Sequence, residues 1–363
     1  MERIPIIRPY IQYDDIAQDM EAIFNSGILT KGKHGLAFRE SFADYTGAQF
    51  VSLTTSATTA LSLALKIYGV EKGDEVAVAD FSFPASVNVI EDIGAKPIFI
   101  DVDPHTFNMD PQRLISHITR HTKAVIFVDS FGNASGLSEI KRICEQHKLP
   151  LIEDAACAIG SSENNKRCGS IADIACFSFH PRKLLTTGEG GAITTNHRDI
   201  ANRIEIKLNH GAILDAERKL DFVDFGYNYR MTEMQALMGI SQLRKLDAII
   251  EDRRRIKEKY VRALKPLGFY AQACAPNTEH NVQSVVFCVP EGVERNGLIQ
   301  YLVSHNIEST LGTYSLSNCS FYKHKYQKPQ KTSLILEENT ITLPCYEDVN
   351  VDRVINVIKL FIN

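Results

Sequence analysis

From Phe50 to about Asn196, short runs of β-branched and aromatic residues alternate with stretches whose apolar side chains recur every three or four positions. The first pattern suits a strand buried on both faces and the second an amphipathic helix. Their alternation predicts a sheet with helices on both sides, an α/β lobe. Strands are expected over Glu75 to Ala79, Lys96 to Asp101, Ala124 to Asp129, Leu149 to Asp154, Ile174 to Phe179 and Gly191 to Thr195. Helices are expected between several of them, over Thr58 to Tyr68, Ser86 to Ile93 and Leu137 to His147. One long helix is expected over about Thr232 to Lys265, where Met234, Leu237, Met238, Ile240, Leu243 and Leu246 share recurring faces, and it would tie two lobes together. Beyond about residue 266 the pattern is mixed, strand-like over Ser284 to Val289 and helical over Gly297 to His305 and Val351 to Ile362. The division expected is a large α/β domain over 1–245 and a small α+β domain over 246–363. With no repeat, low-complexity tract or Gly/Ser linker between them, the lobes should pack closely.

Composition narrows the function classes. A chain of 363 residues, 44% of them hydrophobic, can bury one large core and a smaller second one. The formal charge of -4 supplies no clustered positive surface for nucleic acid. The dense basic run Arg253-Arg254-Arg255 is flanked by Glu251, Asp252 and Glu258 and reads as a solvated helix face. None of the eight cysteines forms a Cys-x-x-Cys pair, and most have apolar neighbours, so buried free thiols in a reducing compartment are expected. Met1 to Pro9 lack a signal-peptide core and no window approaches the roughly 18 apolar residues of a membrane helix, which points to the cytoplasm. No metal site is expected. The acidic stretch Asp101-Val-Asp103-Pro-His105 lacks the glycine and closing glutamate of an EF-hand and reads as a solvated turn. Gly-x-Gly-x-x-Gly and Gly-x-x-x-x-Gly-Lys-Ser/Thr are both absent, so dinucleotide and P-loop sites lack their phosphate loops.

Three segments carry chemistry. In Ser178-Phe-His-Pro-Arg-Lys183, followed by Leu184-Leu-Thr-Thr-Gly-Glu-Gly-Gly191, a lysine sits in a turn after an apolar strand. Ligands of α/β sheets gather outside the strand carboxyl ends, and a lysine shielded from water there is nucleophilic enough to form a Schiff base. In Leu149-Pro-Leu-Ile-Glu-Asp154, a strand ends in paired acids. Strand alternation sends the two apart: Asp154 is assigned to a pyridine nitrogen, which it would keep protonated as an electron sink, and Glu153 to structure. In Thr54-Thr-Ser-Ala-Thr58, small hydroxyl residues precede an amphipathic helix, whose positive end suits a phosphate.

In this order and spacing the motifs resemble the DegT family of sugar aminotransferases, fold-type I enzymes of pyridoxal 5'-phosphate (PLP). The resemblance rests on Gly73-Asp-Glu-Val, Lys96-Pro-Ile-Phe-Ile-Asp-Val-Asp, Ile152-Glu-Asp-Ala-Ala, Cys176-Phe-Ser-Phe-His-Pro-Arg-Lys183, Thr187-Gly-Glu-Gly-Gly, Asn209-His-Gly and Tyr227-Asn-Tyr-Arg-Met-Thr-Glu-Met-Gln235-Ala. It implies a large lobe with a mixed, mostly parallel sheet and a small α+β lobe. It implies that Lys183 forms the Schiff base, Asp154 holds the ring nitrogen and Phe83 stacks on the ring. Ala57, Thr58 and Ser178 would hold the phosphate, with Asn228 reaching it from a neighbouring subunit, so that a homodimer completes the site. Two departures stand out. Cys157 takes the place of the usual Gln or His that contacts the cofactor's 3'-oxygen. In the small lobe, Leu311-Gly-Thr-Tyr-Ser-Leu316 replaces the usual His-containing segment and leaves Tyr314 as a candidate sugar contact. His180 and Arg230 also lie inside motifs, His180 as a candidate substrate contact, and Ser26-Gly-Ile-Leu-Thr-Lys-Gly32 resembles the family's loop near the active site.

The implied reaction is a ping-pong transamination with L-glutamate as donor and 2-oxoglutarate as product. The acceptor would be a nucleotide-linked keto sugar, a dTDP- or GDP-4-keto-6-deoxyhexose, in surface polysaccharide (O-antigen, lipopolysaccharide) or natural-product sugar biosynthesis. A 3-keto sugar acceptor, a PLP-dependent sugar dehydratase and a non-catalytic PLP sensor are the alternatives. Lys183 separates the transferase from the dehydratase, which carries His at that position.

Overall fold

The computed structural model describes residues 2–215 and 217–362. Its centre is a seven-stranded sheet whose strands we number in chain order: β1 (Phe50–Thr54), β2 (Glu75–Ala79), β3 (Lys96–Ile100), β4 (Thr122–Val128), β5 (Leu151–Asp154), β6 (Ile174–Ser178) and β7 (Gly191–Thr195). Their spatial order is β1-β7-β6-β5-β4-β2-β3. Only β7 runs against its neighbours; the pairs from β6 to β3 are all parallel. This is the mixed, mostly parallel sheet that was expected. The apolar runs of β2, β4 and β5 are buried on both faces, because helices such as Ala57–Ile67, Ala85–Asp92 and Leu137–His147 enclose the sheet. One consequence matters for function: the carboxyl ends of six strands, and the start of β7, lie along one edge.

A second, antiparallel sheet joins Tyr270–Ala271, Val285–Cys288, Thr340–Leu343 and Thr310–Leu311, in that order. Its core contains Tyr260, Phe287, Leu302, Ile341, Val354 and Ile358, and Ile4 of the N-terminal segment joins it. A third apolar cluster under the Lys183 loop is aromatic: Phe42 meets Phe177 at 5.0 Å and Phe179 at 5.6 Å between ring centroids.

Four expectations change. The long helix over Thr232 to Lys265 is two helices, Glu233–Leu243 and Leu246–Leu264. The break follows Gln242, which turns its amide inward onto the peptide of Thr186. Arg253 is not on a solvated face: it is 1% exposed and its guanidinium donates to the carbonyls of Val282, Gln283 and Cys345. Asp101 is likewise buried, accepting the N–H groups of Thr332 and Ser333, while Asp103 forms the turn. The cysteines are free, and Cys274 is exposed rather than buried. No helix among the described residues is long and apolar enough to cross a membrane.

Candidate active site

Lys183 lies in the loop between β6 and β7, at the carboxyl edge of the sheet. The loop's base is closed by Phe179 N–H to Gly190 O (2.9 Å) and Thr187 N–H to Phe179 O (3.0 Å), and Leu184 and Leu185 are buried beneath it. Lys183 donates its own N–H to His180 O (2.8 Å), and Nδ1 of His180 accepts Arg182 N–H (3.2 Å). His180 is thus bonded within the turn that presents the lysine. Nζ of Lys183 reaches Sγ of Cys157 at 3.0 Å.

Asp154 ends β5 and is 6% exposed. It accepts Ser86 Oγ–H (2.6 Å) and Ala156 N–H (3.2 Å), and among the described residues no lysine or arginine forms an ion pair with it. Burial raises its pKa, opposed by those hydrogen bonds and by the charge of Lys183. Ser86 was not singled out in the sequence; an ordinary serine in a helix carries no mark of the acid that it meets. Glu153 does point away from Asp154, yet not to solvent. It is fully buried, accepts Gly169 N–H, and lies against Asp129.

The hydroxyl-rich segment resolves into a capping box: Ser56 Oγ accepts Thr59 N–H (3.1 Å) and Thr59 Oγ1 accepts Ser56 N–H (3.2 Å), opening the helix Ala57–Ile67. Ala57 is buried and Thr58 exposed on its first turn. Cross-strand register places Thr54, Gly191 and Ser178 side by side, so this helix start stands beside the β6 end that leads to Lys183. Gly191 is required there, since a Cβ would lie 2.6 Å from the backbone of Ser56.

Phe83 is 65% exposed at the same edge. Tyr314 and Ser315 pair with Phe81 and Ser82, which brings the Tyr314 ring to 6.4 Å from that of Phe83. Asn228 is placed elsewhere, in a bridge with Asn209, whose Oδ1 accepts from Lys31 Nζ (2.7 Å) and Arg230 (3.1 Å). The Ser26 to Gly32 loop joins this second cluster through Lys31. Glu233 holds it by accepting the N–H groups of Gly32, His34 and Gly35 at 2.8–3.0 Å.

Residues 11–361 match the model of the DegT/DnrJ/EryC1/StrS aminotransferase family. The chain belongs to that family. It is 31% identical to a GDP-perosamine synthase of Vibrio cholerae over 99% of both chains. It is 37% identical to a GDP-perosamine synthase of Caulobacter vibrioides over 74% of this chain and 72% of the relative. A structure from Streptococcus pneumoniae described as a sugar aminotransferase, in its PMP form, matches with a TM-score of 0.92 at 27% identity, over 99% and 98% of the two chains.

As a member of this aminotransferase family the chain fits PLP. An amine, a buried carboxylate with no cation bonded to it, an exposed aromatic ring and a helix start stand along one edge of one sheet, the set that an aldehyde, a pyridine nitrogen, a ring face and a phosphate require. Gln283 and Arg253, which sequence patterns missed, support this edge from the small lobe.

Proposed function

We propose that this PLP-dependent aminotransferase moves an amino group from L-glutamate to a nucleotide-linked keto sugar. The reading is carried by Lys183 and the buried Asp154, to which no cation is hydrogen-bonded, standing at one sheet edge. PLP, when bound, supplies the electron sink that lets a substrate carbon lose its proton. Asp154 holds a proton at the ring nitrogen, favoured there because a buried carboxylate lacking a cation gains most from a cationic partner. Nζ of Lys183 would take the proton from the donor's Cα in the first half-reaction and, in the second, deliver a proton to the sugar carbon that receives the amine, its reach set by the 180–190 loop. Phe83 covers a ring face, Ala57, Thr58 and Ser178 hold the phosphate, and Cys157 stands near the 3'-oxygen. Tyr314 and His180 line the sugar side.

Names of the relatives support a GDP-linked 4-keto-6-deoxyhexose ahead of its dTDP counterpart, since three of them are GDP-perosamine synthases. We place the enzyme in the cytoplasm, in keeping with its free thiols. We keep the division into a PLP-binding domain over 1–245 and a small domain over 246–363, and a homodimer that brings Asn228 to the partner's phosphate.

The test is direct. Purified protein carrying PLP should change its absorption band on addition of glutamate, and a panel of nucleotide keto sugars should restore it, the GDP-linked one fastest. Lys183→Ala should lower turnover on the order of 10³-fold or more; full activity in that variant would refute the assignment.

A further inference from the structure

The middle of the Lys183 loop is held by a side chain from the other lobe. Gln283 is 5% exposed and lies just before the small-lobe strand Val285–Cys288. Its amide makes two bonds: Nε2 donates to Arg182 O (2.7 Å) and Oε1 accepts Leu184 N–H (3.1 Å). These two groups flank Lys183. Between a fixed carbonyl at 182 and a fixed N–H at 184, the only soft backbone torsions are the φ and ψ of Lys183 itself. The pair of bonds therefore fixes the direction in which the Lys183 side chain leaves the backbone, which a bond at either site alone would not do.

Gln283 is held in turn. Its N–H donates to Asn281 Oδ1 (2.9 Å), and its carbonyl accepts from the buried Arg253 (2.7 Å), which also donates to Val282 O (2.7 Å). Val282 sits at φ 57, a left-handed conformation unfavourable for a β-branched residue. Backbone strain of this kind persists where surrounding bonds over-determine it, and Arg253 and Asn281 supply those bonds on both sides. A guanidinium buried on three carbonyls with no carboxylate is a costly arrangement to retain for packing alone.

We infer that Gln283, seated by Arg253, is a positioning residue for Lys183: it sets the backbone of the reactive lysine from the small lobe and couples the placement of that lobe to the proton-moving amine. The inference rests on the assignment of Lys183 given above.

The test compares Gln283→Met, which keeps the volume and removes both bonds, with Gln283→Glu, which keeps the acceptor for Leu184. Each is purified with PLP and read in three ways: the rate of the glutamate half-reaction, the pH midpoint of the absorption band of the lysine-bound cofactor, and the melting temperature. The Met variant should slow the half-reaction by about 10–100-fold, the cost of a misplaced reacting group, and shift the pH midpoint. The Glu variant should recover part of both, and neither change should follow the melting temperature. Rates within twofold of wild type, or an unshifted midpoint in both variants, would overturn the inference. If Met prevents folding, the Glu variant decides by the same readings. A wild-type protein with no cofactor adduct at Lys183 after borohydride trapping would instead sink the functional reading, and this inference with it.

Discussion

Asp129 presents a buried carboxyl to which no donor is bonded at either oxygen, beside Glu153, which is also fully buried. Burial raises both acids above the ordinary carboxylate range; the neighbouring Glu153 raises Asp129 further, while a hydrogen bond from Asp129 opposes the rise of Glu153. One proton on the pair resolves this: Asp129 donates to Glu153, whose oxygens also accept Gly169 N–H. Cys168, within 4.8 Å of both, has a thiol kept protonated by burial and by those acids, so a shared proton suits the cluster better than a cation. The sign for stability follows. The folded protein keeps a proton that an unfolded Asp releases near pH 4, so the contribution is complete below that pH and is lost as pH rises through the raised folded value. Asp129→Asn keeps a donor and removes the titration. Its stability relative to wild type, from urea melts at a series of pH values, should rise with pH by about 1–3 kcal/mol. Parallel curves would show that no proton is held there, and a stoichiometric metal in elemental analysis would replace the proton with a cation. In the sequence, Asp129 was only the last residue of an expected strand, because its partner is set by the β4–β5 register and not by any local pattern.

Helix starts illustrate which parts of the fold could be read locally and which could not. The start at Ala57 was legible because Ser56 and Thr59 cap their own helix. The helix Lys33–Thr46 opens with Gly32 as its N-cap and no side-chain cap of its own; Glu233, 2% exposed and distant in sequence, takes the exposed N–H groups. Glu233→Ala should strip three N–H groups, that of His34 buried and those of Gly32 and Gly35 half-buried, of their acceptor and cost about 2–4 kcal/mol in denaturant melts. Faster hydrogen exchange over residues 26–35 should accompany it, and an unchanged melt would mean that water replaces the carboxylate at no cost. The same contrast runs through the strands. β2 and β7 match their expected bounds because Gly and Asp punctuate them, whereas β4 begins earlier, at Thr122. Small-lobe strands such as Tyr270–Ala271 and Thr310–Leu311 are two residues long and exist only through their partners, so periodicity could not reveal them. Lys183 and Asp154 stood out as candidates because their neighbours form motifs; the contacts of Gln283, Ser86 and Arg253 did not, since they join lobes or distant segments.

At the scale of the whole molecule, the hairpin Ala212–Leu214 and Leu220–Phe222 leaves Leu214, Leu220, Phe222 and Phe225 at 59–71% exposure. Ile28 and Leu36 are exposed as well. An apolar patch of this kind on a single chain marks an interaction surface, and Asn228 follows the hairpin in sequence. In a two-fold dimer each site would take Lys183 from one chain and Asn228 from the other, an arrangement that complementation can detect. Lys183→Ala and Asn228→Ala should each be strongly impaired alone. Mixed and allowed to exchange subunits, they should regain roughly a quarter of wild-type activity, because random pairing makes half of the dimers mixed and gives each of those one intact site. Phe222→Asp combined with Phe225→Asp should weaken the dimer in sedimentation and lower activity in parallel, by placing charges where apolar contact is needed. A mixture no more active than the sum of its two components would mean that Asn228 serves its own chain. Dissociation without loss of activity would mean that the second copy contributes nothing to the site.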